Sequence, residues 1–222
     1  MTSPAAPPTG RPARWRQRLL IAAITLVVVL FFALGLHRQL TLEGLQRAHG
    51  ALLEQRITVH LAEGAGFLAS DVVRLGRSAA GEDLGEGCWR SRLEICRRIG
   101  SGRRWELADA VSLGRETMDG EHGMAGQPVF GSLVWIAPRQ LEAPVRAAVL
   151  DQARRGRANL EGTMACGLLE SGLIARYRGP SSQAARFWFT RIWAAVRQAG
   201  GHPTPQIPRV WPFQEQPLRS ST

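Results

Sequence analysis

From Gln55 onward, apolar and polar residues alternate along much of the chain, and a period of two predicts strands with one dry face. Ile57, Val59 and Leu61 alternate with Thr58 and His60. Trp89, Leu93 and Ile95 alternate with Arg90, Arg92 and Glu94. Trp105, Leu107, Val111 and Leu113 alternate with Glu106 and Ser112, which puts Trp105 on the apolar side of its strand. Val129 to Ile136 is apolar at both parities and predicts an interior strand. Leu168 to Tyr177 reads as one further strand. Two stretches change period. Leu141 to Arg155 predicts a helix, with Pro144 tolerated in its first turn and Gly156 at its end. Ala185, Trp188, Phe189, Ile192, Trp193 and Val196 recur at helical spacing and predict an amphipathic helix. Gly179-Pro180 stops the strand before it, because proline lacks the N–H a ladder needs. Ser181 or Ser182 supplies the N-cap oxygen, and Gly200-Gly201 closes the helix. Trp193 stands at the centre of the stripe and is expected to be largely buried. Many strands, a helix, a strand and a helix make a mainly β fold with two C-terminal helices.

The N-terminus has a different pattern. Residues 1–18 are rich in Pro, Ala and Arg and predict disorder. Leu19 to Leu36 carries no charge, and about 18 such residues reach the short end of what spans a bilayer core. Arg11, Arg14, Arg16 and Arg18 precede it and Arg38 follows, so the positive-inside rule keeps the N-terminus in the cytoplasm and exports the rest. A signal peptide is the competing reading, but its apolar region would be long and no clear small-x-small cleavage site follows it. The chain is therefore expected to comprise a disordered 1–18, a transmembrane helix over 19–36, an amphipathic linker over 37–54, a β-rich domain over 55–213 and a flexible tail over 214–222. The expected location is a membrane, the inner one if the source is bacterial.

Charge adds one exclusion. The formal net charge is +10, and all 28 basic residues are arginine. They are scattered over strands, turns and helices without a basic stripe, so a nucleic-acid partner is not expected. Three cysteines, Cys88, Cys96 and Cys166, form neither a disulfide framework nor a zinc knuckle. There is no G-x-S-x-G, no H-E-x-x-H and no Gly-rich phosphate loop, so no enzyme is expected.

The literal residues say more. "ARYRGPSSQAARFWFTRIWAAVRQ", a spacer and "PRVW" resemble the C-terminus of the UreD (UreH) urease accessory proteins. "ITVHLAEGAGFLASDVVRLGRSAAGEDLGEGCWRSRLEI" resembles that family's acidic-Gly-Ala turn, strand, LGR-x-A-x-GE turn and following strand. "GQPVFGSLVWIAP" resembles its next buried strand. The three blocks cover about Gln55 to Trp211 in the family's order. The motif positions are Gly76, Arg77, Gly81, Glu82, Gly179, Ser181, Ser182, Trp193, Pro208, Arg209 and Trp211. The resemblance implies a β-helix-like stack of strands with two helices. It also implies a scaffold that holds apo-urease, UreF and UreG while nickel passes to the urease active site, with no tightly bound cofactor and with GTP hydrolysis left to UreG. The family is cytoplasmic and has a substantial N-terminal half that is missing here. Residues 31–53 instead resemble DedA-like (SNARE-associated) membrane proteins. A deletion fusion, an assembly or start-site artefact, and a membrane-tethered variant all fit the junction near Glu54-Gln55. The chain is expected to be a partial, inactive version; the alternative is a single-pass membrane protein with an outward-facing β-rich binding domain.

Candidate site residues follow. Glu82 matches an acidic family position, and acidic residues of the family are suspected to line a nickel path; the alternative is a turn residue that binds nearby amides. Asp119, Glu121 and His122 put two carboxylates and an imidazole in one loop, donors that suit Ni²⁺, against the alternative of a solvated Gly-rich loop. The LGR turn needs Gly76 for positive φ and Arg77 as a fork to a carboxylate or carbonyls. Arg186, Trp188, Arg209 and Trp211 are candidates for docking a partner, since Trp and Arg dominate interface energetics.

Overall fold

Strand β5, Val129–Ile136, has both faces apolar, and the fold is built around it. The computed structural model describes residues 52–77, 80–208, 211 and 216–218. The element order is β1 (Leu52–Leu61), β2 (Phe67–Arg74), β3 (Cys88–Ile99), β4 (Gly102–Leu113), α1 (Arg115–Asp119), β5, α2 (Ala143–Arg155), β6 (Thr163–Leu169), β7 (Gly172–Gly179) and α3 (Ser182–Ala199). The strands make one sheet of order β1-β3-β4 and a second of order β2-β5-β7-β6. β1 runs parallel to β3, and the other pairs are antiparallel. The expected mainly β class with two C-terminal helices is found, with the short α1 in addition.

Alternation along β5 explains the layering. Val134 and Ile136 pack with Leu61 and Ile95 of the first sheet. Leu133 and Trp135 point the other way and pack with Val149, Trp188, Phe189 and Ile192 of α2 and α3. The second sheet is thus covered on both faces, while the outer face of the first carries exposed side chains such as Arg90, Arg92 and Trp105.

Two strand expectations need correction. Leu168 to Tyr177 is not one strand but a hairpin, β6 and β7, turning at Glu170-Ser171. A Cβ at Gly172 would overlap the Trp135 carbonyl, so only glycine lets β7 leave the turn against β5. Trp105 is not on the dry face of β4 and is 64% exposed. Ile95 pairs with Leu107 but Cys96 pairs with Trp105, so Glu106 is the extra residue of a β-bulge. The bulge shifts the alternation by one, turning Trp105 outward and Glu106 inward.

The expected spanning helix over 19–36, most of the 31–53 stretch that resembles DedA-like proteins, most of the 37–54 linker and Arg209 lie outside the described residues. Among the described residues no helix is long and apolar enough to cross a membrane.

Candidate functional site

The LGR turn is a local clasp. Gly76 has φ +89°, and a Cβ there would stand 2.5 Å from the Glu82 carbonyl oxygen. Arg77 Nε donates to Glu82 Oε2 at 2.6 Å and Nη2 donates to Oε1 at 2.5 Å. The guanidinium's hydrogen bonds hold the Glu82 carboxyl below the usual carboxylate range. Gly81, with φ +70°, leads into Glu82. Both Glu82 oxygens therefore face Arg77, at the exposed surface.

The loop after α1 is held by its backbone. Arg178 Nη1 on β7 donates to the Glu121 carbonyl at 2.5 Å and to the Gly123 carbonyl at 2.6 Å. Met124 is buried beneath, while Asp119, Glu121 and His122 are exposed. Among the described residues no three His, Cys, Asp or Glu side chains gather as a set able to hold a metal ion, so the loop does not bring its three candidates together.

Helix α3 divides the docking candidates. Ser181 caps it, its Oγ accepting from Ala184 N at 3.1 Å, and Ser182 is the first helical residue. Trp188 is not a surface residue: it is completely buried, and its Nε1 donates to the Ala153 carbonyl of α2 at 2.8 Å. It sits on the inner line of the stripe, where α2 and the second sheet enclose it. Trp193, expected to be largely buried, is partly buried, less enclosed than Trp188. Its ring meets Trp211 at 5.3 Å, and the Arg197 guanidinium lies 5.7 Å from its centroid. Trp193, Trp211, Arg186 and Phe189 face Ala69 and Ser70 of β2 across an open groove of 510 Å³. Pro208 accepts from Trp211 N at 3.0 Å, which folds the tail into that groove wall. Gly179 ends β7 just before the cap.

A polar seam between the two sheets was missed. Asp71 and Asp109, with Gln55, Ser91 and Ser132, line a 170 Å³ cavity. Gln55 Nε2 donates to Asp71 Oδ2 at 3.3 Å. Arg176 donates to Asp109 Oδ2 at 2.5 Å and to Ser132 Oγ, with its guanidinium 5.8 Å from the Phe130 centroid. The available signal was parity: Asp109 occupies the apolar phase of β4 between Leu107 and Val111, where a charge needs a partner. At one end of the seam, Glu106 Oε1 accepts from Arg97 Nε at 2.6 Å and Arg104 Nη2 at 3.0 Å. Burial pushes the Glu106 carboxyl up, but hydrogen bonds from Arg97, Arg104 and Ser171 outweigh it and leave it below the usual range.

Comparison with known proteins agrees with the motif reading. The family model for the UreD urease accessory protein matches residues 45–212. "Urease accessory protein UreD" of Prochlorococcus marinus (strain MIT 9303) is 58% identical over 167 residues, 75% of this chain and 56% of that protein. "Urease accessory protein UreD" of Synechococcus sp. (strain CC9605) is 55% identical over 172 residues, 78% of this chain and 55% of that protein. The chain spans about half the length of the curated relatives it matches. The family is one of accessory proteins rather than enzymes, in line with the motif search. From residue 45 to 212, this chain belongs to the UreD urease accessory protein family.

Proposed function

We propose that this chain serves urease maturation as a non-catalytic scaffold, docking apo-urease and the accessory proteins UreF and UreG while nickel is delivered. Family membership over residues 45–212 carries this reading. The groove beside α3 supports it, since Arg186, Trp193 and Trp211 put a cation and two aromatic rings on one accessible wall. Nickel is cargo here, not a resident cofactor. The direct test is co-expression of the tagged chain with UreF and apo-urease. Co-purification with UreF is expected, and its absence from a folded chain overturns the reading.

A second reading rests on the uncharged run over 19–36 and the arginines before it, which suit a membrane tether with the β-rich domain outside. That orientation separates the domain from cytosolic urease. Alkaline phosphatase fused after Gln55 is active if the domain is exported and inactive if it stays inside.

A further inference from the structure

The outer face of the first sheet carries a cluster that strand register assembles. His60 of β1 and Trp105 of β4 are the cross-strand partners of Cys96 on β3. Cross-strand partners share a face, so imidazole, thiol and indole stand in a row. Arg98 lies two residues beyond Cys96 on the same face, and its own partner across the hairpin is Arg103. His60 Nδ1 is 2.9 Å from Cys96 Sγ. His60, Cys96, Arg98 and Arg103 line an open depression of 230 Å³, and no Asp or Glu is among the residues lining it. Cys96 is only 5% exposed, and the depression is the approach to its sulfur.

We propose that Cys96 is a site of reversible mixed-disulfide formation with a small anionic disulfide of the glutathione type. His60 is the base and Arg98 and Arg103 bind the carboxylates. The Cys96 thiol proton passes to His60 Nδ1, and Sγ attacks one sulfur of the incoming disulfide. That S–S bond breaks as the new one forms, and the departing thiolate takes the proton back from the imidazolium. One disulfide and one thiol become one mixed disulfide and one thiol, so electrons balance without another oxidant. Two guanidiniums suit carboxylates and repel a bare metal cation, which decides between an anionic ligand and a metal on this His-Cys pair. Cys88 and Cys166 are built differently. Cys88 Sγ contacts Ser112 Oγ at 3.7 Å. Burial pushes the Cys166 thiol up despite Arg157 and Arg154 nearby.

The test is a time course of the full chain with glutathione disulfide, read by site-resolved mass spectrometry. Cys96 is expected to react about tenfold faster than Cys88 or Cys166, although it is the most buried of the three. It should also react about tenfold faster with glutathione disulfide than with the cationic disulfide cystamine. His60→Phe should slow Cys96 to the rate of the other two thiols, and Arg98→Gln with Arg103→Gln should remove the preference for the anionic reagent. Equal rates at the three cysteines of the unaltered chain, or equal rates with the two disulfides, overturn the proposal without recourse to any variant.

Discussion

Arg97 and Glu106 meet at 2.6 Å inside the protein, with side chains 6% and 2% exposed. The β-bulge makes the meeting possible by turning its extra residue, Glu106, inward between Trp105 and Leu107. Arg97 uses its remaining donors on the Ala65 carbonyl at 2.6 Å and the Ala137 carbonyl at 2.8 Å. One guanidinium thus ties the β1–β2 loop and the end of β5 to β4. Replacing a buried pair can be neutral, but removing one partner strands the other charge. Glu106→Ala is expected to cost ~3–5 kcal/mol in chemical denaturation, and unchanged stability would show that Arg97 does not need this carboxylate.

The same carboxylate gives a pH prediction. Its folded-state value lies below its unfolded one, so its contribution is present above the ordinary carboxylate range and is lost as pH falls through the folded value. Melting temperature should therefore drop on acidification below about pH 4, and Glu106→Gln should lower it at neutral pH while flattening that acid slope. A variant with the wild-type slope would place the acid sensitivity elsewhere.

Trp188, rather than Trp193, is the aromatic residue on which the helical layer depends. It is fully buried and its indole satisfies the Ala153 carbonyl. Trp188→Ala is expected to cost ~3–5 kcal/mol, and Trp193→Ala clearly less, because that side chain is only partly buried. Equal losses for the two variants in urea denaturation would contradict the burial difference.

Period-two alternation gave the sides of β1 and β3 correctly, because their pairing is regular, and apolar residues at both parities gave the central strand. It failed at Trp105, because the extra residue Glu106 puts the side chains before it out of phase with those after it, and an inserted residue leaves no mark on composition. It also joined β6 to β7, since Gly167 through Gly172 reads as a weakly polar strand until the turn pairs it back on itself. Helical periodicity named the buried stripe of α3 but not its rank order. Trp188 and Trp193 are both in phase, and only the position of α2 decides which of them is enclosed. The LGR turn was legible because glycine at positive φ and an arginine fork are local requirements. The Asp71–Asp109 seam was not, because it needs two sheets brought face to face.

Gly76 should be the least replaceable residue of that turn. Gly76→Ala adds a Cβ both at positive φ and against the Glu82 and Asp83 backbone, whereas Gly81→Ala meets only the φ penalty, with no atom within reach of its Cβ. The first change is expected to destabilise by well over ~1 kcal/mol and the second by about that amount. Similar melting temperatures for the two variants would mean that the Arg77–Glu82 clasp yields without cost.

The α3 groove offers the sharpest separation of docking from folding. Arg186 is exposed, Trp193 and Trp211 meet at a tilt at the rim, and β2 beside them is an edge strand with one side of its ladder unpaired in its sheet. A partner that lays an apolar side chain in the groove against the rings and presents a carboxylate to Arg186 would use all three. Truncation of a central interface Trp costs ~2 kcal/mol or more, and reversal of a facing charge adds repulsion. Trp211→Ala and Arg186→Glu are therefore each expected to weaken association with UreF by more than tenfold, while melting temperature changes little because neither residue belongs to the buried core. Trp188→Phe is the control: it keeps most of the apolar volume, loses the Ala153 hydrogen bond, and should lower stability with little change in affinity of the folded fraction. Undiminished binding by both groove variants would move the docking surface away from α3, leaving the Trp193–Trp211 pair as a clasp for the C-terminal tail.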